Sequence, residues 1–526
     1  MESLEVRSQK SKVKKQKAKP GTHALLTFAF CAWRSDSSVC LLPSAFCFLL
    51  AASCVLLPSC KIGPEYKRPP AAAPPAYKEL PPANSPEAAE WAPAQPSDAL
   101  ARGKWWEVYN DPELNALEEQ VSVSNQNLIA AEAQFREAKF AVRIARSNLY
   151  PAVSSAPSIV NARTPGSNKG KAYDTFELPV DVSYQADIWG SIRRSIQASA
   201  EAAQASDAQL ENARLSYQAE LAQDYFELRG TDGEKELLET TVKSYQDYLK
   251  LTQDRFNSGV ASGADVAQAQ TQLDTARAQL IDFDVARSQY EHAIAVLTGK
   301  APAELSISTS PIKITPPPVP VGLPSTLLER RPDIANAERQ MAQANEQIGI
   351  AKAAFYPTLS LANGTGVGLG STDFLTWISW PSRAWSVGPE LEETIFDAGK
   401  RRAAVNQSLA AYDATVANYR QTVLTAFQQV EDNVAALRVL EKEAQAENDA
   451  VQAAQNSLDI STYQYKAGTV NYLTVITAQA ILLQDQVQAL NILTRRMSSS
   501  VLLIEALGGG WNSTKLPAVN ELAHGK

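Results

Sequence analysis

Phe176-Glu-Leu-Pro-Val-Asp-Val-Ser-Tyr-Gln-Ala-Asp-Ile188 alternates without a fault. Phe176, Leu178, Val180, Val182, Tyr184, Ala186 and Ile188 fall on one face of an extended chain, and Glu177, Pro179, Asp181, Ser183, Gln185 and Asp187 on the other. One apolar face and one acidic face is the pattern of a strand with lipid on one side and water on the other. A strand of a soluble sandwich alternates in the same way, and what separates the two readings is the sequence that follows. Residues 191–257 contain no proline and are rich in Ala, Gln, Leu and Glu, which predicts helix. At 1.5 Å per residue that helix runs about 100 Å, even allowing a defect at Gly230 and Gly233. No globular domain is that deep. Its apolar positions are mostly Ala, a thin stripe suited to helix packing in a shell.

Much of the chain occurs twice. The glycine of Asp187-Ile-Trp-Gly190 recurs in Phe396-Asp-Ala-Gly399, Gly259 recurs as Gly468, and Leu297-Thr-Gly299 recurs as Leu507-Gly-Gly509, each pair 209 or 210 residues apart. Tyr150-Pro151 recurs as Tyr356-Pro357 at 206. A shift confined to one segment is what hairpins of unequal length produce, since loops absorb insertions. Three more segments read as strands, less cleanly: 152–163, 358–369 and 384–396. Four strands per chain cannot close a membrane barrel, and open edges are not tolerated in lipid, so closure requires further copies of the chain. Two, three or four copies supply 8, 12 or 16 strands, and the width needed to admit a ring of helices favours 12 or more.

All five cysteines (Cys31, Cys40, Cys47, Cys54 and Cys60) lie in the first 60 residues, which leaves the rest without disulfides or thiolate metal sites. A Lys-rich stretch, an apolar run over 41–58 and Leu57-Pro-Ser-Cys60 form a bacterial lipoprotein signal, with Cys60 as the lipidated residue and Cys54 as the alternative acceptor. An 18-residue run with two prolines is marginal as a membrane anchor. The first 59 residues hold 8 of the 49 Lys/Arg and 3 of the 57 Asp/Glu, so the remainder carries 41 bases against 54 acids, net −13. That balance argues against nucleic acid as a partner.

Gly364, Gly366, Gly368 and Gly370 alternate, but inside a strand pattern that does not open a helix, so small residues on an inward face near the barrel rim are expected in preference to a phosphate loop. Beyond the leader, His292 and His524 are the only histidines. Neither has metal-ligand spacing, and no nucleophile elbow occurs. No catalytic residue, metal or cofactor is expected, and the chain is not read as an enzyme.

Cys60-Lys-Ile-Gly-Pro-Glu-Tyr66, Trp105-Trp106 with Asp111-Pro-Glu-Leu114, Gly322-Leu-Pro-Ser325, Arg330-Arg-Pro-Asp333-Ile, Ala353-Ala-Phe-Tyr-Pro-Thr-Leu-Ser360 and Leu507-Gly-Gly-Gly-Trp511 stand in one order along the chain. Together they resemble the OprM/NodT branch of TolC-like outer-membrane factors, over residues 60–512. The resemblance implies a mainly α protein with a membrane β-barrel portion: a homotrimer whose 12-stranded barrel continues into a long α-helical barrel in the periplasm, with two internal repeats per chain. It implies lipidated Cys60 at the outer membrane, an efflux function as a passive gated conduit, and two protein partners, a periplasmic adaptor and an inner-membrane RND pump. The expected division is leader 1–59, lipid-anchored tether and collar 60–104, first repeat 105–310, equatorial linker 311–331, second repeat 332–512 and tail 513–526.

The resemblance also places adaptor-docking tips at two helix-turn-helix junctions, at Gly259, Val260 and Ser262 and at Gly468, Thr469 and Val470. Gly259 and Gly468 also read independently as left-handed helix C-caps. The family's periplasmic gate, a Leu and an Asp four residues on, maps to Leu473 and Thr477, so the Asp is missing. Tyr472 joins the expected gate, and Asp265 is the nearer carboxylate, with helix N-cap as its alternative role. Two other functions compete: the exit duct of a type I protein-secretion system, and a lipid-anchored periplasmic coiled-coil scaffold without a pore.

Overall fold

The computed structural model describes residues 61–70, 73–80, 103–163, 172–318, 327–361 and 366–524. Cys60, Gly322, Pro324 and Gly364 lie outside them. Eight helices are used below: α1 (Pro112–Ser124), α2 (Gln126–Ser147), α3 (Ser191–Asn257), α4 (Gly263–Leu297), α5 (Pro332–Ala353), α6 (Lys400–Lys466), α7 (Tyr472–Ala506) and α8 (Val519–His524). The helices α3 and α6 both have 67 residues, α4 and α7 both have 35, and all four boundaries recur at an offset of 209.

Both long helices start at a glycine in the left-handed region, Gly190 at φ 78° and Gly399 at φ 88°. An aspartate just upstream binds the open helix end in each. The Asp187 carboxylate accepts from the backbone N–H of Ile192 (2.9 Å) and Arg193 (3.0 Å), and Asp397 accepts from that of Arg401 (3.1 Å). Contrary to the defect allowed for above, α3 runs unbroken through Gly230 and Gly233. These glycines serve close packing on α7, since a Cβ at Gly230 would fall 2.4 Å from Thr494 Oγ1.

Seven strand pieces form one antiparallel sheet: β1 (Ala152–Ser154), β2 (Ser158–Ala162), β3 (Tyr173–Ala186), β4 (Thr358–Leu361), β5 (Gly366–Ser371), β6 (Arg383–Ser386) and β7 (Pro389–Glu392). They fall on the four expected strands, with 152–163 and 384–396 each split in two. β1 and β2 pair with β3; β3 pairs with β4 and β5; β4 pairs with β7, and β5 with β6. The gap between β1 and β2 lies opposite Pro179, which has no N–H to give the ladder, and Ser155 Oγ instead donates to the Pro179 carbonyl (2.6 Å).

The main core lies at mid-length, where α1, α3, the ends of α4 and α7, α5 and α6 converge on Trp105, Tyr109, Tyr225, Phe226, Met341 and Tyr419. Nearer the sheet the apolar part of the buried face of α3 is alanine (Ala198, Ala200, Ala203, Ala205, Ala208), the thin stripe expected of a shell. The C-terminal α8 folds back so that Leu522 packs against Val142, Ala200 and Ala203. Among the described residues no helix is long and apolar enough to cross a membrane.

Candidate membrane sheet, docking tips and gate

Register sorts the sheet into two faces, because directly opposed residues project to the same side. Val180, Val367 and Trp385 are aligned across three strands, as are Leu178, Leu369 and Arg383, while Val153 opposes Val182 and Leu359 opposes Leu391. The other face carries Glu177, Asp181, Glu390 and Glu392, with Gly366, Gly368 and Gly370 opposite Asp181, Pro179 and Glu177. The glycine run therefore lies on the acidic face. Gly366 is there of necessity, since a Cβ would fall 2.1 Å from the Val180 carbonyl oxygen. On the apolar face Val367, Trp385 and Leu391 are exposed within the single chain. Among the described residues, the strand formed by β1 and β2 and that formed by β6 and β7 are each paired on one side, which leaves two open edges.

Where β3 meets α3, the segment after Cys60 is clamped down. Ile62 N donates to Trp189 O (3.3 Å), and Arg194, 1% exposed, donates to Ile62 O (2.5 Å), Pro64 O (3.3 Å) and Glu346 (2.8 Å). Asn345 adds a bond to Pro64 O, Tyr66 one to Glu338, and Arg68 one to Tyr419. Gly349 leaves room for the guanidinium: a Cβ there would sit 2.3 Å from Arg194 Cδ. This strap is missed by local reading because its partners lie 127 to 351 residues away. The Lys-Ile-Gly-Pro-Glu-Tyr motif was its only trace.

At the far end of α3 and α6 the expected docking residues stand at two short turns. Gly259 (φ 73°) and Gly468 (φ 78°) are left-handed, and Val260 N and Thr469 N reach back to Arg255 O (2.9 Å) and Gln464 O (3.0 Å), so both helices end in the same motif. Val260, Ser262 and Thr469 are exposed, and Val470 is half-buried. The tips are joined: Arg255 lies 4.6 Å over the Tyr465 ring, and Tyr248 and Thr462 share a 2.9 Å hydrogen bond.

Ser262 is the N-cap of α4, and Asp265 is the reciprocal member of its capping box. Ser262 N donates to Asp265 Oδ2 (2.9 Å), and Asp265 N donates to Ser262 Oγ (3.2 Å). Its carboxylate is thus engaged at the helix end, although not in the N-cap position expected above. In α7, capped by Asn471, Leu473 is 52% exposed, and Thr477 is exposed one turn on, its hydroxyl tied to Leu473 O (2.9 Å). Tyr472, expected beside them at the gate, is 1% exposed inside the tip, its ring 5.4 Å from Tyr465. Burial first, then neighbouring phenols, raises its pKa. It packs inside the hairpin with Ala269, Tyr465 and Val475. Among the described residues no group of His, Cys, Asp and Glu could hold a metal.

A family model described as "Outer membrane efflux protein" matches residues 117–300 and 323–509. The chain is 32% identical over 474 residues to the probable efflux pump outer membrane protein TtgC of Pseudomonas putida, covering 88% of this chain and 95% of that one. With the pyoverdine export outer membrane protein OpmQ of Pseudomonas aeruginosa it shares 28% over 431 residues, 80% and 90% of the two chains. Among solved structures, the outer-membrane channel OprN superimposes with a TM-score of 0.77 at 27% identity, over 86% of this chain and all of the other. The Campylobacter jejuni CmeC outer membrane channel does so at 0.79 and 23%, over 88% and 97%.

Proposed function

Because the chain belongs to the outer membrane efflux protein family, we propose that it is the exit duct of a tripartite efflux system, working as a closed trimer. The chain resides in the outer membrane and reaches into the periplasm. The observation that carries the trimeric reading is the four-stranded sheet with one apolar face, one acidic face and two unpaired edges. In lipid each unpaired backbone group costs several kcal/mol, so the edges must meet the edges of other copies. Three copies supply twelve strands, and the 209-residue recurrence of both hairpins supports two repeats per chain, giving a ring of six hairpins.

In this reading the sheet turns its apolar face to lipid and its carboxylates to water, and the helices extend the duct into the periplasm. The strap places Lys61 against the sheet-to-helix junction, where a Cβ on Gly190 would lie 3.3 Å from Lys61 Cα. Acyl chains on Cys60 would thus enter the same membrane beside the barrel. The tips at Gly259, Val260, Ser262, Gly468 and Thr469 meet the periplasmic adaptor, the RND pump of the inner membrane supplies the energy, and the duct itself stays passive. Leu473, made threefold by symmetry, forms an apolar ring that blocks ions by dewetting. Efflux of small molecules is favoured over protein export by the names that the relatives carry.

Native mass spectrometry of the detergent-solubilised full chain tests this. Three copies are expected. A stable monomer retaining its full strand content would refute closure by assembly.

A further inference from the structure

The loop between β5 and β6 is built inside out. Its polar groups bond to one another: Asp373 N donates to Ser371 Oγ (3.0 Å), Leu375 N to Asp373 Oδ1 (3.1 Å), and the Ser379 and Ser382 hydroxyls to Thr376 O (2.5 and 2.6 Å). Its apolar side chains point outward, Leu375 at 88% exposed, Trp380 at 77% and Ile378 at 75%. A loop projecting into water would do the reverse.

The loop also has a side. Phe374 and Trp377 pack against Phe176 at 5.6 and 5.7 Å, and Phe176 has the parity of Leu178 and Val180 on the apolar face. It therefore folds outward over the lipid side of the sheet, at the end remote from the helices. At its foot stands Arg383, opposite Leu369 on that same face, with its guanidinium 3.7 Å over the Trp380 ring. Among the described residues no carboxylate pairs with Arg383. Aromatic rings with one polar edge settle at the level of lipid headgroups. A stacked, unpaired guanidinium held there is suited to a phosphate, which it can grip with two parallel N–H donors.

We propose that the 372–383 loop is an interfacial anchor that seats in the outer leaflet and that Arg383, held by Trp380, binds the phosphate of an anionic membrane lipid. This rests on the proposed membrane placement of the sheet, so the test separates the two. Nitroxide labels on Val180→Cys and Leu375→Cys in the reconstituted full chain report depth: Val180 should read as hydrocarbon and Leu375 as headgroup level. A water-exposed Val180 label would remove the membrane placement. A deep Val180 label with Leu375 in bulk water would remove the anchor alone.

Binding is then read by titrating the detergent-solubilised chain with lipid A or its dephosphorylated form in native mass spectrometry. The phosphorylated lipid should bind about fivefold more tightly per site, the contribution of one interfacial arginine. Arg383→Gln should abolish that preference, and Arg420→Gln, on α6, should keep it. Trp380→Leu, which retains the apolar bulk without the stacking face, should reduce it. A preference that survives Arg383→Gln overturns the assignment.

Discussion

Replacing Glu346 with alanine should release the strap that follows Cys60. Among the described residues the Glu346 carboxylate is the only anion on Arg194, at 2.8 Å, and the two side chains are 6% and 1% exposed. Its 3.5 Å contact with half-exposed Lys61 adds little. Stranding one charge of a buried pair costs about 3–5 kcal/mol. Arg194 can escape that penalty only by gaining water, and what keeps water out is the strap, whose Ile62 and Pro64 carbonyls are its other acceptors. If the penalty falls on strap release, the released population rises by at least about two orders of magnitude. Trypsin cleavage at Lys61 and Lys67 follows that population when opening is fast relative to cleavage. Glu346→Gln keeps an acceptor and should show a smaller rise. Cleavage of Glu346→Ala at the wild-type rate, with the rest of the fold intact, would refute the claim that this ion pair holds the strap.

Leu473→Ala should raise the resting conductance of the isolated channel in planar bilayers, whereas Thr477→Ala, whose hydroxyl is already spent on Leu473 O, should leave it unchanged. Asp265→Ala should lower thermal stability by about 1 kcal/mol through loss of the capping box; a change in ion selectivity for Asp265→Asn at unchanged stability would return that residue to the gate. Glu118 is fully buried, neither carboxylate oxygen has a hydrogen-bond partner, and burial raises its pKa well above the ordinary value. The folded state then holds a proton that the unfolded state gives up near pH 4.5, so the stability this group permits is full below that pH and falls as pH rises toward the folded pKa. Glu118→Gln should therefore match the wild type near pH 4 and exceed it in thermal stability at neutral pH.

What a strand or helix does along its own length was readable in advance. A proline-free span placed the first 67-residue helix at 191–257, and the left-handed stops at Gly259 and Gly468 were written in single residues. The alternation from Phe176 to Ile188 identified the two faces. What lay hidden acts across the chain. The split between Ser154 and Ser158 is marked locally by Pro157, but its other cause, Pro179, lies on the neighbouring strand. The burial of Tyr472 depends on Tyr465 at the other end of a turn, and adjacency to Leu473 suggested the opposite. The Ser262-x-x-Asp265 spacing was a legible capping box that proximity to the tip obscured.

Between β3 and α3 no flexible linker separates sheet from helix. Ala186 ends β3 and Ser191 begins α3, with only Trp189-Gly190 as the turn of note, and Trp189 is held by Pro357 O (2.7 Å) and by the Tyr356 ring. Helix α3 is thus a stiff lever about 100 Å long, pivoted at its glycine, and one degree of tilt at Gly190 carries the far end about 1.7 Å. A few degrees, well within the play of a single glycine's dihedral angles, would sweep a tip by the width of a leucine side chain. For the proposed duct, leverage applied at the tips would then suffice to move the far end of α3 with no helix unwound and no strand disturbed.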